Sequence, residues 1–252
     1  TDYIGVLVDE NLESMKGHPL LDARVRRAMS LSIDRQSMAK VLRRNSVLPS
    51  DRFVPPSIPG ATTYTAPSYH LEGAKALLKE AGYPEGEGLP VIQLGTTADY
   101  VDLCSSLQSN WEKLGIQVEV DVAPSAVHRE RVSTSKIEMF QKSWLADYAD
   151  SENFLGLFRK ANFSPSGPNY THFTNPNYER WYDEAMVTSI DTIRWQLYSK
   201  MENIIHNQMP VIPLFHDQVT HFVSKEVEGW IVSPVNRLDL RRVKLSFANA
   251  KN

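Results

Sequence analysis

Cysteine is almost absent from this sequence, and long apolar runs are missing. One cysteine, Cys104, stands among 252 residues, so no disulfide can form within the chain. No stretch of about 18 apolar residues occurs, so no membrane-spanning helix is predicted. Neither sign of charge dominates, because 27 Lys and Arg stand against 30 Asp and Glu, a net charge of −3. Without a basic region, the chain is not predicted to bind nucleic acid.

The seven histidines are scattered and show no close spacing with cysteine or carboxylates, so neither a metal nor a cofactor is predicted. His216 and His221 flank Asp217 on an apolar β segment, where alternation places their side chains on opposite faces. A metal site there is only a weak hypothesis. The sequence also starts without methionine or a signal segment, and we expect a fragment or a processed chain.

What the sequence does contain is an alternation of strands and helices. Residues 91–94 have a strand pattern, 100–114 a helical one, and 116–122 alternate as a second strand after Gly115. This βαβ unit predicts parallel strands joined by a right-handed crossover. A helix over 124–135 and a strand at 137–140 extend the order to β-α-β-α-β, which is typical of doubly wound α/β domains.

Helical spacing predicts further helices. Two lie within residues 22–44, one over 72–82, one after Asn175-Pro176 and one over about 191–208. Their predicted buried positions include Val25, Ala28, Met29, Ser32, Met38, Val41 and Leu42. Cys104 shares a helical face with Leu107, Trp111 and Leu114 and is predicted to be a small, inert core residue. The proline-rich residues 49–68 predict an ordered loop packed by Phe53, Val54, Ile58, Tyr64 and Tyr69.

The most informative stretch is residues 143–155, which follows the apolar run 137–140. A predicted buried strand leads into Trp144, Asp147, Tyr148 and Asp150, and then Asp150 or Ser151 caps a short helix. Carboxylates and aromatic residues at the carboxyl end of a strand lie where open α/β sheets bind ligands. The alternative interpretation is that these aspartates only cap the helix, and spacing alone leaves both open.

Four segments, in this order and spacing, resemble the bacterial extracytoplasmic solute-binding proteins of the oligopeptide/dipeptide class (family 5), which serve ABC importers. They are residues 21–28 with 33–35, 74–84, 144–155 and 209–214. The chain looks like the C-terminal half of such a protein. The resemblance implies an α/β fold, a periplasmic-binding-protein-like lobe with a βαβ-based mixed sheet flanked by helices, plus C-terminal strands belonging to the other lobe. Residues 1–14 would lead in from a first lobe, 15–215 would form the second, ligand-binding lobe, and 216–252 would return to the first.

The resemblance also implies site residues. In peptide-binding members, the aspartate at the position of Asp147 pairs with the α-ammonium group of the peptide. Trp144 would offer a flat apolar wall, and the backbone at Leu145 would bond the ligand as an added strand does. Tyr148 and Tyr170 are further candidates. Asp150 competes with Asp147 as the anchor, and the sequence does not separate the two.

The implied function is a non-enzymatic binding protein that captures a peptide or similar small solute in an interlobe cleft and delivers it to the membrane permease of an ABC importer. We expect a periplasmic or cell-surface location, with any lipid anchor outside this chain. One alternative is the ligand-sensing domain of a transcriptional regulator. An enzyme would need more than the carboxylates Asp147, Asp150 and Glu152, because no nucleophile, base or metal set accompanies them. The ligand could equally be a nickel complex, a sugar or another solute, and the oligomeric state is open.

Overall fold

A six-stranded mixed sheet forms the centre of the computed structural model, which describes residues 1–246. Its strands are β1 Asp2–Val6, β2 Val47–Pro49, β3 Ile92–Thr96, β4 Val118–Val122, β5 Met139–Ser143 and β6 Val211–Asp217, and their spatial order is β2-β6-β1-β5-β3-β4. Strand β5 runs parallel to β3, and β3 runs parallel to β4. Strand β1 is antiparallel to both β5 and β6, and β2 is antiparallel to β6. The predicted βαβ unit and mixed α/β sheet are confirmed.

Helices flank this sheet at the predicted places. They are α1 Ala23–Leu31, α2 Arg35–Arg43, α3 Leu71–Glu80, α4 Val101–Glu112, α5 Ser125–Ser133, α6 Glu152–Leu155, α7 Pro176–Val187 and α8 Asp191–Gln208. The side chain of Asn175 caps α7 by accepting hydrogen bonds from the backbone N–H groups of Asn177 and Tyr178. Within residues 1–246, no helix is both long and apolar enough to cross a membrane.

The sheet separates two hydrophobic clusters, because successive side chains of a strand point to opposite faces. On β1, Ile4 packs into a cluster with residues of α1, α3 and α4, while Tyr3 packs into the other. On β5, Met139 and Phe140 divide in the same way. The second cluster contains much of α6, α7 and α8, so it supports the segment that follows β5.

Three predicted core positions are wrong. Val41 is 75% exposed, because the inward face of α2 is formed by Arg35, Met38 and Ala39. Arg35 is buried since its guanidinium donates to carbonyl oxygens on neighbouring elements, which an apolar pattern does not reveal. Tyr64 and Tyr69 are also exposed, whereas Phe53, Val54 and Ile58 of the same loop are buried as predicted.

Cys104 lies on α4 with no exposed surface, as its helical spacing predicts. Burial raises the pKa of its thiol to about 11, only partly offset by a hydrogen bond with Thr96. The thiolate, which is the reactive form, is therefore disfavoured at neutral pH.

The two ends of the chain differ in how they pack. Residues 1–14 contribute β1, which is buried throughout and pairs on both sides, and β6 extends two residues beyond position 215. Beyond β6, residues 218–246 are mostly exposed. Their strands β7 (Val227–Glu228) and β8 (Lys244–Leu245) pair only with each other, and Phe222 is 97% exposed.

Candidate functional site

The stretch singled out by its sequence begins where β5 leaves the centre of the sheet. Trp144 continues the ladder with β1 by one residue: its N–H donates to the Thr1 carbonyl at 2.9 Å, and the Thr1 nitrogen donates to the Trp144 carbonyl at 2.8 Å. Residues 145–150 then form a turn before α6 begins. The position of Trp144 is thus fixed by the sheet, while the turn is free to present side chains at its edge.

Asn153, on α6, organises this turn. Its side-chain oxygen accepts a hydrogen bond from the indole nitrogen of Trp144 at 3.0 Å and another from the backbone N–H of Asp147 at 3.3 Å. Only 8% of Asn153 is exposed. The sequence analysis missed this residue, although an amide nine positions after the tryptophan, on the first turn of the next helix, was a usable signal.

Glu152 holds the other side of the turn. One carboxylate oxygen accepts from the Tyr148 hydroxyl and the other from the Tyr182 hydroxyl of α7. Burial, and then the hydrogen bond to Glu152, raise the pKa of Tyr148. The Tyr148 hydroxyl is therefore engaged within the protein, and its half-exposed ring is the part that faces outward. Glu152, occupied on both oxygens, is not available as one of a catalytic carboxylate pair.

The two aspartates that the sequence could not separate have different surroundings. Asp150 accepts a hydrogen bond from the backbone N–H of Glu152 at 2.9 Å, and its other oxygen lies 3.4 Å from Arg194 Nη2. The Asp150 carboxylate thus accepts the first N–H of α6. Ser151 is the N-cap residue, and its hydroxyl donates to the Pro59 carbonyl at 2.8 Å. Asp147 is exposed, and within the described part of the chain its carboxylate forms no hydrogen bond or ion pair. Of the two carboxylates, that of Asp147 is free for a ligand.

A cavity of about 370 Å³ opens beside the first residues of the turn. Most of its lining comes from three chain segments: the start of the turn, the proline-rich loop, and the end of β6 with residues that follow. Thr1 and Phe154 complete it. Its lining includes Trp144, Leu145, Ala146, Pro55, Ser57, Ile58, His216, Asp217 and residues 232–236. A larger hollow of about 970 Å³ lies among residues 229–242 of the exposed C-terminal segment, and Ser233 lines both this hollow and the cavity beside the turn.

Of the six predicted site residues, Trp144 and Leu145 line this cavity, and Asp147, Tyr148 and Asp150 follow on the adjoining turn. Tyr170 lies apart from it. Its ring packs edge-on against Phe140, with centroids 6.5 Å apart, and the Lys142 ammonium lies 4.5 Å from the ring centroid.

Comparison with known proteins identifies the chain. The family model described as bacterial extracellular solute-binding proteins, family 5, middle region, matches residues 8–165. This chain belongs to that family. The predicted family is therefore confirmed, and the proteins of family 5 are solute-binding proteins, not enzymes.

Individual relatives agree with this assignment. The dipeptide-binding protein of Escherichia coli K12 is 25% identical over 90% of this chain and 43% of its own length. The probable deoxycholate-binding periplasmic protein YgiS of the same strain is 31% identical over 84% of this chain and 40% of its own. The periplasmic binding protein DppA from Helicobacter pylori, solved in complex with the peptide STSA, has a TM-score of 0.77 at 25% identity, covering 98% of this chain and 47% of that one. The chain spans less than half the length of these relatives.

In this family 5 chain, a buried histidine lies at the base of the cavity. His216 is 4% exposed, its Nδ1 lies 2.8 Å from the Thr1 hydroxyl, and its Nε2 has no partner within the described residues. Burial, and next the positive charge of the Thr1 amino group, lower the pKa of His216 to about 3. The ring is neutral at pH 7. His221 also lines the cavity, and its ring centroid lies 5.4 Å from that of Trp230. Residues 1–246 contain no cluster of three or more potential metal ligands.

A Ser-His-Asp set also occurs in this chain, away from the cavity. His172 Nδ1 lies 3.0 Å from an Asp9 oxygen, and its Nε2 lies 3.1 Å from the Ser164 hydroxyl. Ser164 is buried, and the same Nε2 lies 3.1 Å from the Ser164 carbonyl. These contacts tie the 162–175 loop to the residues after β1, and the hydroxyl is not accessible to a substrate.

Proposed function

We propose that this chain is the second lobe of a solute-binding protein of an ABC importer. In this role, the cavity beside Trp144 contacts one side of a bound peptide or similar small solute. The observation that supports this most is that the carboxylate of Asp147 is unpaired on the turn that adjoins this cavity. Asp150 and Glu152, the other carboxylates of the turn, are already engaged. In this proposal, Asp147 receives the cation of the solute.

The chemistry of the cavity suits a peptide amino terminus. An ammonium group leaving water needs an anion, and a charge-assisted hydrogen bond is stronger than a neutral one. Next to Asp147, Leu145 and Trp144 present a flexible apolar side chain and a fixed aromatic ring, which tolerate many solute side chains. The dipeptide-binding and STSA-bound relatives favour a peptide, while the deoxycholate-binding relative keeps another small solute as the alternative.

The lobe boundaries belong to the same proposal. Residues 15–215 form the second lobe, and 1–14 and 216–252 connect it with a first lobe. Two features support this: β1 and β6 are neighbouring strands, and the segment after β6 exposes large apolar side chains such as Phe222. In this account the first lobe closes over the cavity, and the whole protein works outside the cytoplasm.

Titration of the chain with trialanine, followed by backbone amide NMR, tests this function. We expect shifts confined to residues 144–153 and to the other cavity walls. One lobe supplies only part of the contacts, and each 1.4 kcal/mol of binding free energy that is lost raises the Kd about tenfold. The Kd of the 252-residue chain for trialanine should therefore lie above the micromolar range. N-acetyl-trialanine should bind more weakly. No response in residues 144–153 to millimolar trialanine would contradict the proposal, and sub-micromolar binding would contradict the two-lobe account.

A further inference from the structure

One wall of the cavity is a loop without regular secondary structure. Pro55, Ser57 and Ile58 face the cavity from the segment between β2 and α3, which contains no other strand or helix. Such a wall keeps its shape only if contacts from elsewhere fix the backbone. The relevant contacts come mainly from α8, which passes behind the loop.

Glu202 of α8 holds both ends of this wall. One oxygen accepts the backbone N–H of Val54 at 3.1 Å, and the other accepts the Thr62 hydroxyl at 2.6 Å. Between these two points, the Pro59 carbonyl accepts hydrogen bonds from the N–H and the hydroxyl of Ser151, at 3.2 and 2.8 Å. The backbone of this wall is thereby held at Val54, at Pro59 and at Thr62.

The loop packs closely against α8 at Gly60. Gly60 has φ of +82°, and a Cβ atom there would lie 2.6 Å from Trp195 Cδ1 and 2.8 Å from Tyr198 Cδ2. The backbone at Gly60, next to Pro59, therefore packs directly against the aromatic rings of α8.

The burial of Glu202 is unusual for a carboxylate. Only 2% of the residue is exposed, and within the described residues no Lys, Arg or His forms an ion pair with it. Burial raises its pKa, and the hydrogen bonds from Thr62 and Val54 oppose that rise. An unpaired buried carboxylate is costly, and an apolar side chain would avoid that cost. What the Glu202 carboxylate provides is the pair of hydrogen bonds that hold Val54 and Thr62 in place.

We propose that Glu202 is a positioning residue for the solute cavity: by holding Val54 and Thr62 it sets the wall that carries Pro55, Ser57 and Ile58. This inference rests on the proposed function, because it assumes that the cavity beside Trp144 binds the solute. Glu202 itself does not line the cavity and acts through the loop.

Two substitutions of Glu202 test the proposal in the 252-residue chain. Glu202→Gln keeps an oxygen acceptor for Val54 and an amide donor for Thr62, whereas Glu202→Leu keeps the volume and removes both bonds. Trp111→Phe is the control, because it removes a buried hydrogen bond, to the Met29 carbonyl at 3.1 Å, in the other hydrophobic cluster. Each variant is titrated with trialanine by NMR, and hydrogen exchange is measured at residues 54–62.

We expect Glu202→Leu to weaken trialanine binding about tenfold and to accelerate hydrogen exchange at residues 54–62. The affinity of Glu202→Gln should be within about threefold of wild type, and that of Trp111→Phe within about twofold. Should Glu202→Leu fail to fold, Thr62→Val, which removes one of the two bonds, should weaken binding about threefold. Wild-type affinity in a folded Glu202→Leu, or in Thr62→Val, would overturn the role of Glu202 and leave the proposed function standing. No trialanine response in the wild type would overturn both.

Discussion

The indole nitrogen of Trp144 and the backbone N–H of Asp147 share one acceptor, the side-chain oxygen of Asn153, at 3.0 and 3.3 Å. A single amide therefore fixes both the indole ring of Trp144 and the backbone at Asp147. Neither of these groups has to be ordered when a solute arrives, so less ordering opposes binding.

Replacing Asn153 tests this arrangement. Asn153→Ala should lower the free energy of unfolding by about 1–2 kcal/mol, because two donors lose their acceptor. Asn153→Asp keeps an oxygen acceptor and should lose less. Urea unfolding followed by circular dichroism measures both values. Equal stability of Asn153→Ala and wild type would show that the shared acceptor does not hold the turn.

The two aspartates of the turn should respond differently to loss of charge. Asp147→Asn should weaken trialanine binding by at most about 1 kcal/mol in this chain, because the carboxylate is exposed. In a protein that encloses the ligand, the loss should reach about 2–5 kcal/mol. Asp150→Asn should leave affinity nearly unchanged and lower stability by at most about 1 kcal/mol, since it loses the ion pair with Arg194 while the amide oxygen still accepts the Glu152 N–H. NMR titration gives the affinity of each variant, and urea unfolding gives its stability. If Asp150→Asn lost binding and Asp147→Asn did not, the anchor would be Asp150 and not Asp147.

Cys104 should be inert in the folded protein. Its burial and its pKa of about 11 both suppress thiolate formation. Labelling by a thiol reagent at pH 8 should be slower by orders of magnitude than in urea. The control is the double variant Cys104→Ala with Ser105→Cys, which places a thiol on the exposed side of the same helix and should label rapidly. Fast labelling of native Cys104 would mean that α4 opens readily.

His216 should make the protein sensitive to mild acid. Its folded-state pKa of about 3 lies below the ordinary value of 6.5, so its contribution to stability is present above pH 6.5 and is lost as the pH falls towards 3. Between pH 7 and pH 5 the loss from this group should be about 2 kcal/mol. Urea unfolding at both pH values should show a smaller difference for His216→Gln than for wild type. An unchanged difference would place His216 in a more hydrated setting.

Sequence patterns predict the fold well where local periodicity and burial coincide. The βαβ unit, the capped start at Asn175 and the buried face of Cys104 all follow from spacing that matches one element at a time. The failures occur where distant partners decide. Val41 points outward because Arg35 finds carbonyl acceptors elsewhere, on Ser30 and Pro213.

The site shows the same division. The sequence places Trp144, Asp147 and Asp150 after a buried strand, but only their partners distinguish the aspartates, and those partners include Arg194, which is distant in sequence. The role of Glu202 is beyond pattern analysis for the same reason, since Val54 and Thr62 lie 148 and 140 positions away.

The most direct test of the account is a thermodynamic cycle that combines Asp147→Asn with N-acetylation of trialanine. If Asp147 pairs with the peptide ammonium, either change removes the same interaction, and making both should weaken binding no more than making one. The coupling energy in this chain should be roughly 0.2–1 kcal/mol, the range for an exposed ion pair. NMR titration of both chains with both peptides supplies the four affinities. Strictly additive losses, with a coupling energy of zero, would contradict the assignment of Asp147 as the anchor.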